Sequence, residues 1–376
     1  MDGGGSDKVT KRILCLVIHS LQAGGMERVM SELARHFALK EELDLHLIIY
    51  GMNREIFYEI PGNITIHKPI FRFNNRFRLY FTIRTLFFLR SAITGIRPES
   101  VLSFGEYWNS LVLLSTRGLK VPVFVSDRSQ PDKSLGTFQD KLRQWLYPCA
   151  SGVILQTEKA KEIYLRKNRS RNIAVIGNPI REISEGTAPV EREKAVLMVG
   201  RLIRSKHQDQ LIEMFSRVAP PDWKLVLVGY DHLGQNNLER LRKLARELQV
   251  EESVVFAGKQ DQIEKIYLRS AIFAFTSSSE GFPNVIGEAM SAGLPVIAYD
   301  CTAGPSEMIV DGFNGYLVPL FDTDDFESKL ARLMAEEELR NSMGSNGRES
   351  IKRFSREQVC DSFYRFIMTR QNNLTT

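Results

Sequence analysis

Short apolar runs alternate with longer amphipathic stretches through most of the chain. Ile13–Ile18, Asp44–Ile49, Val101–Phe104, Val121–Ser126 and Gly152–Gln156 are dominated by β-branched and aliphatic residues and are too short for buried helices. They predict strands, with helices in the intervals. Such an alternation implies a parallel sheet covered by helices. After Gly177–Ile180 comes a polar stretch, REISEGTAPVEREK, without core-like periodicity. The alternation then restarts at Ala195–Gly200 and continues through Lys224–Gly229, Ser253–Gly258, Ala271–Ser277, Leu294–Asp300 and Tyr316–Pro319. The expected class is α/β, with two doubly wound, Rossmann-like domains facing a central cleft. The first spans residues 12–180 and the second 194–350, with 181–193 as the linker. Ligands of open α/β sheets bind beyond the carboxyl ends of the strands, which makes the cleft the default site. No internal repeat is visible.

The length of 376 residues allows about two such domains. A hydrophobic content of 43% with 25% charged residues excludes collagen-like and disordered classes. The four cysteines, Cys15, Cys149, Cys301 and Cys360, form no CxxC pair, so neither a zinc site nor a disulfide framework is expected. A cytoplasmic location follows as the expectation. Residues 1–11 are polar and Gly-rich, lack the apolar stretch of a secretory signal, and are set apart as a flexible leader. No uncharged apolar run reaches the length that spans a bilayer, so membrane contact is expected to be peripheral.

The net charge is only +5, but its distribution is uneven. No acidic residue lies between Glu59 and Glu99, while Lys68, Arg72, Arg76, Arg78, Arg84, Arg90 and Arg97 fall inside that window. Aromatic and aliphatic residues are interleaved with them, partly at helical spacing, as in Phe73, Phe77 and Phe81. A basic amphipathic helix of this kind suits an anionic membrane surface. A core helix whose arginines snorkel to water ranks just behind, and nucleic acid, for which no binding motif is present, well behind both.

Three segments carry candidate chemistry. Gly24 and Gly25 follow the first strand and precede a helix beginning near Met26, where backbone amides can approach an anion. The pattern is not GxGxxG, which weakens a dinucleotide reading. Arg201 and Lys206 follow the first strand of the second domain, and two cations there can hold a diphosphate and stabilise charge on a departing phosphate. In isolation, two solvated surface cations are the better account of that pair.

The densest segment is Ser277–Asp300. Glu280 stands on a loop ended by Gly281 and Pro283, Asn284 is positioned to cap the next helix, and Glu288 is expected in its first turn. Amides from Phe282 to Ile286 would point from a positive helix end toward a phosphate, and the carboxylates would accept from sugar hydroxyls. Paired carboxylates also invite a glycosidase reading, against which stand their placement on one element and the neighbouring cations. Asp322–Asp325 (DTDD) superficially resembles a metal-binding DxD, but it precedes an amphipathic helix, so capping is the expected role and no metal is expected.

Together these segments resemble the retaining family 4 glycosyltransferases with the GT-B fold, across essentially the whole chain after residue 11. GGMERV (Gly24–Val29), GRLIRSK (Gly200–Lys206), SSSEGFPNVIGEAMSAGLPVIA (Ser277–Ala298) and DGFNGYLVP (Asp311–Pro319) stand in that family's order and spacing. The resemblance implies a catalytic set of Arg201 and Lys206 on the donor diphosphate with Glu280 on the donor sugar, and Glu288 on the ribose. Gly281, Phe282, Pro283, Asn284 and Val285 would line the donor, Lys259 and Ile263 would contact the base, and Gly24 and Gly25 would close from the other domain. The C-terminal helix, roughly Ile351 to Arg370, would return to the first domain. Such enzymes need no enzymic nucleophile and no cofactor beyond the nucleotide-sugar donor, here a UDP-sugar.

More narrowly, VPVFVSDRSQP (Val121–Pro131) and SFGEYWN (Ser103–Asn109) look like the branch that adds N-acetylhexosamines to undecaprenyl-diphosphate-linked glycans. Arg128 would then face the cleft, and Arg72, Arg76, Arg78 and Arg84 would meet membrane and lipid diphosphate at the inner face of the cell membrane. The implied acceptor is a polyprenyl-diphosphate-linked glycan. Many members carry a histidine where this chain has Glu106, and His19 is a weak substitute. His36, His46, His67, His207 and His232 are assigned ordinary structural or surface roles. Two further readings remain open: a GT-B nucleotide-sugar epimerase, and an inactive glycan- or lipid-binding protein.

Overall fold

The computed structural model describes residues 11–52, 54–170, 172–184, 191–231 and 236–369. It forms two compact units, one made of the chain up to Pro179 together with the segment from Arg356, the other of Ile180–Ser355. Of the polar linker expected at 181–193, the central part, 185–190, lies outside the described residues, as do 1–10, 370–376 and His232.

The first unit contains β1 (Arg12–Ile18), β2 (Leu43–Ile49), β3 (Thr65–His67), β4 (Ser100–Phe104), β5 (Val123–Ser126), β6 (Gly152–Leu155) and β7 (Ile173–Val175), in the order β3-β2-β1-β4-β5-β6-β7. Every pairing is parallel, with Val17 against Ile48 on one side and Ser103 on the other. β1 and β4 are buried almost throughout, as strands covered on both faces require. Helices Arg78–Ile96, Glu106–Thr116 and Thr137–Leu146 pack on one face through Leu89, Ile93, Val112, Leu113 and Leu146. Helix Gly25–Phe37 packs with the terminal helix Arg356–Met368, which places Phe363 beside Phe104 at 5.9 Å between ring centroids. The short edge strands β3 and β7 have no counterpart among the strands predicted above.

The second unit contains β8 (Ala195–Val199), β9 (Lys224–Val228), β10 (Val254–Gly258), β11 (Ile272–Phe275), β12 (Val296–Asp300) and β13 (Gly315–Pro319), also wholly parallel, ordered β10-β9-β8-β11-β12-β13. Its boundaries differ slightly from the expected ones. Ile180 belongs here because its amide donates to Phe354 O at 2.8 Å, and Ile351 is buried in the same core. Phe354 packs edge-on against Phe282 at 5.3 Å, so Ile351–Ser355 close the second unit and the terminal helix starts at Arg356. Both described ends of the expected linker are docked: the Ile183 amide donates to Ser291 Oγ at 2.9 Å, and Arg192 donates to the carbonyls of Ser270 (2.8 Å) and Ala292 (2.7 Å). Among the described residues no helix is long and apolar enough to cross a membrane.

Candidate active site

Each sheet reverses its strand order once, between β1 and β4 in the first unit and between β8 and β11 in the second. Loops leaving the carboxyl ends of neighbouring strands diverge there and leave a crevice that binds ligands. The residues singled out from the sequence concentrate at these two places.

In the second unit, the chain leaves β8 through Gly200 and Arg201 into a single tight turn, Arg204–Lys206, before helix Gln208–Val218. Gly229, at the end of β9, is required for this exit, because a Cβ there would overlap the Gly200 carbonyl. The loop after β11 is stitched to the turn. Thr276 Oγ1 donates to the carbonyls of Lys206 (2.8 Å) and His207 (3.1 Å), Ser277 Oγ donates to Ser205 O at 3.2 Å, and the Ser278 amide donates to the same carbonyl at 2.9 Å. His207 and Ser278 add a side-chain bond of 2.9 Å. These ties bring Lys206 Nζ onto Glu280 Oε1, in an ion pair whose side chains are 16% and 15% exposed. Charges so shielded interact far more strongly than surface pairs. Arg201 stands exposed at the start of the same loop, with its carbonyl accepting from Gln208 at 2.9 Å.

The helix after Glu280 runs Asn284–Ser291. Pro283, not Asn284, occupies the cap position, and no side chain caps this end. The run of outward amides is also shorter than expected. Proline has no N–H, the Asn284 amide donates to Phe282 O, and the Ile286 amide donates to Pro283 O, both at 3.0 Å. Glu288 is the fifth helical residue, so it is no first-turn acid answering the helix dipole. Its Oε2 accepts a hydrogen bond from Tyr267 Oη at 3.2 Å. Tyr267 is fully buried on helix Ile263–Arg269, and burial together with the Glu288 charge holds its hydroxyl protonated, well above the ordinary tyrosine pKa. Ile263 opens that helix half-buried and Lys259 is exposed just after β10. Gly281, Phe282, Pro283 and Val285 line the same turn, with Phe282 buried.

The crevice of the first unit is walled by rings. His19, leaving β1, stacks on Trp108 at 3.8 Å and meets Tyr50 edge-on at 5.6 Å. A side chain at Gly51 would overlap His19, so glycine makes room for the stack. Burial pushes the His19 pKa down to about 4, leaving a neutral imidazole at physiological pH. Gly24 caps helix Gly25–Phe37, where the Tyr58 hydroxyl accepts from its amide (3.2 Å) and donates to its carbonyl (2.9 Å). The Glu27 carboxylate folds back over Gly24 and accepts from Ser20 Oγ at 3.2 Å, so a carboxylate already faces this positive helix end.

Glu106 opens helix Glu106–Thr116 and organises the loop after β5. It accepts from the Arg128 amide at 3.1 Å and from the Ser129 hydroxyl. Burial and the neighbouring Asp127 raise its pKa. Arg128 is packed rather than displayed: its guanidinium lies over Phe104 (4.6 Å) and Phe363 (5.0 Å), and Nη1 donates to Asn178 at 2.8 Å. Nε and Nη2 are buried without a protein partner, and burial lowers the pKa to about 9.

Under this loop lies a polar network that no sequence motif marks. Asp127 pairs with Arg143 and accepts from Tyr147 Oη at 2.6 Å, while Asn109 joins Ser103 (2.8 Å) to Tyr147 (3.1 Å). No local sequence signal couples these residues; the sheet brings them together.

On the outer face of the same unit, Arg72, Arg76, Arg78 and Arg84 are all exposed. Only Thr85, Leu89 and Ile93 of helix Arg78–Ile96 are buried, while Phe77, Leu79, Tyr80, Ile83 and Phe87 are exposed by 44% or more. The helix starts later than the Phe73–Phe77–Phe81 spacing implied, because Asn74 caps a separate short turn through the Arg76 amide at 2.9 Å. Asp322, in the DxD-like run, caps helix Thr323–Ala335 by accepting from the Asp325 amide at 3.1 Å. Among the described residues no group of three His, Cys, Asp or Glu is placed to hold a metal ion.

Two family models divide the chain at the same place as the fold. Glycosyltransferase Family 4 matches residues 23–182, and Glycosyl transferases group 1 matches residues 179–350. Each unit thus carries a glycosyltransferase domain, family 4 in the first and group 1 in the second. Among relatives, this glycosyltransferase is 29% identical to the amylovoran biosynthesis glycosyltransferase AmsD of Erwinia amylovora, over 88% of this chain and 92% of that one. It is 28% identical to the N-acetylgalactosamine-N,N'-diacetylbacillosaminyl-diphospho-undecaprenol 4-alpha-N-acetylgalactosaminyltransferase of Campylobacter jejuni, over 94% and 99% respectively. Anabaena Alr3699/HepE, solved in complex with UDP, superposes with a TM-score of 0.76 at 18% identity, covering 94% of this chain and 98% of that one, a likeness of fold. Both units of this glycosyltransferase are GT-B Rossmann-like domains.

Proposed function

We propose that this glycosyltransferase moves a hexosyl or N-acetylhexosaminyl unit from a UDP-sugar to a polyprenyl-diphosphate-linked glycan, with retention at the anomeric carbon. The observation that carries the reading is the cluster at the second unit's switch point, where Lys206 and Glu280 meet on loops from β8 and β11. Lys206 and Arg201 supply cations for the donor diphosphate, Glu280 accepts from sugar hydroxyls, and Glu288 accepts from the ribose while Tyr267 holds its other oxygen. Fixed charges in a shielded site stabilise the negative charge that grows on the leaving diphosphate. In this scheme the anomeric C–O bond to the diphosphate breaks, the acceptor oxygen bonds to the same face, and the acceptor proton passes to the departing phosphate oxygen. No metal or other cofactor enters it.

The acceptor assignment draws on the exposed basic and aromatic helix Arg78–Ile96 and on the diphospho-undecaprenol named for the Campylobacter relative. The protein then works peripherally, at the inner face of the cell membrane. The test is transfer of labelled sugar from UDP-sugars to a polyprenyl-diphosphate glycan in the presence of EDTA. Transfer that disappears in Glu280→Ala supports the reading. Full transfer in that variant, a metal requirement, or conversion of the UDP-sugar with no acceptor present, contradicts it.

A further inference from the structure

Helix Thr137–Leu146 lies outside the acid-free window, and it buries only Leu146. Phe138, Lys141 and Trp145 recur at helical spacing and share its outer face. Phe138 is 78% exposed and Trp145 52%. The Arg117 guanidinium lies 4.5 Å above the Trp145 ring, bringing a cation from the end of the neighbouring helix onto this face. Lys120, Lys133 and Lys141 are exposed nearby. The acids are mostly engaged. Asp140 is tied to Ser134 (2.5 Å) and the Leu135 amide (3.1 Å), Asp132 accepts from Gln130 (2.6 Å), and Asp127 pairs with Arg143 beneath the loop.

The position of this helix connects it to the other exposed surface. Helix Glu106–Thr116 packs against both Arg78–Ile96 and Thr137–Leu146, and all three cover one face of the sheet. The outward sides of the two flanking helices therefore look away from the sheet in the same direction. Each of the three leads from one parallel strand toward the next, so each begins at the carboxyl edge, where the switch point lies. Leu79 and Phe138, each the second residue of its helix, thus stand at that edge. Neighbouring helix axes are about 8–10 Å apart, which separates the two apolar rows by about 20 Å.

We propose that helix Thr137–Leu146 is a second membrane-docking element, seating Phe138 and Trp145 in the interfacial layer of an anionic bilayer beside helix Arg78–Ile96. The inference rests on the membrane association proposed above and adds a second row of contacts to it. One helix lying on a surface leaves the unit free to roll about that helix. Two parallel rows remove the rolling and fix the height of the first unit's crevice above the headgroups. Tryptophan suits the role, since its ring is apolar and its N–H reaches the wet side of the interface.

The chain carries its own probe. Of its three tryptophans, Trp108 is stacked on His19, Trp223 is 2% exposed, and Trp145 is open. The full chain is mixed with phosphatidylglycerol vesicles whose acyl chains are brominated or plain. The expected result is quenching by the brominated vesicles that Trp145→Phe abolishes, together with about a tenfold weaker partition of the double variant Phe138→Ser, Trp145→Ser. An unchanged thermal unfolding profile of the double variant keeps the comparison free of folding effects. Vesicle binding with no Trp145 quenching and undiminished partition of the double variant overturns this proposal and leaves helix Arg78–Ile96 as the sole seat. Failure of the wild-type chain to sediment with any anionic vesicle overturns both. A self-association that the double variant abolishes, without vesicle binding, assigns the face to a second copy of the chain and also overturns the proposal.

Discussion

The two switch points share a strand order and differ in almost everything else. At β8 and β11 the loops carry Arg201, Lys206 and Glu280, and hydroxyl groups of Thr276, Ser277 and Ser278 tie one loop to the other. At β1 and β4 the equivalent place holds a His19–Trp108 stack, and Arg128, from the loop after β5, lies over two adjoining phenyl rings. Topology decides where a crevice forms, and residue type decides what it can hold. The charged crevice suits a diphosphate and the ringed one suits a sugar or an apolar chain.

The comparison breaks most visibly at Glu280. Its replacement by alanine removes the proposed sugar contact and leaves Lys206 without its Glu280 partner in a shielded site. Transfer is expected to fall by about 100-fold to 1,000-fold, measured as initial rates at saturating acceptor. Gly229→Ala should act on the same crevice through the backbone, since the added Cβ overlaps the Gly200 carbonyl. A loss of about 1–3 kcal/mol in stability is expected by denaturant unfolding, with donor binding weakened beyond that of a surface control.

The ringed crevice is sharpened by pH. The unfolded chain protonates His19 near pH 6.5, whereas the folded chain resists protonation until about pH 4. Its contribution is complete above pH 6.5 and is lost as the pH falls from there toward 4. His19→Phe keeps a ring on Trp108 and removes the titration, so its melting temperature should vary less than that of the wild type across this window. Equal slopes would remove His19 from the account.

The smallest effect is expected at Tyr267→Phe, which deletes one hydrogen bond to Glu288. About a threefold to tenfold rise in the KM for the donor, with kcat unchanged, is expected, less than the full worth of a bond to a charged acceptor because Tyr267 acts only by orienting Glu288. The penalty should shrink when the donor ribose lacks the hydroxyl that Glu288 accepts from.

The longer strands were legible because aliphatic and aromatic residues dominate them, as in β1, β8, β9, β11 and β12. β3 and β7 were not, being three-residue edge strands with half-exposed or exposed positions and no periodicity to read. Lys206, Glu280 and Glu288 drew notice by their places just beyond a strand or on the helix that follows, and the family resemblance supplied the roles expected of them. Tyr267 could not: its partner is 21 residues away, on another helix. Pro283 shows a different gap, where a row of amides inferred from helix geometry was interrupted by a residue that has none. Asp127, Arg143 and Tyr147 became visible only when the sheet had placed them together.

The central claim is that the second unit's switch point binds the donor diphosphate without a metal. Calorimetric titration of UDP into the full chain in EDTA tests it most directly, with Lys206→Ala alongside the wild type. The account predicts saturable binding to the wild type and at least about a tenfold weaker affinity for the variant, the loss expected for one charged contact in a shielded site. Equal affinity in Lys206→Ala, or binding that appears only when magnesium is added, would contradict it.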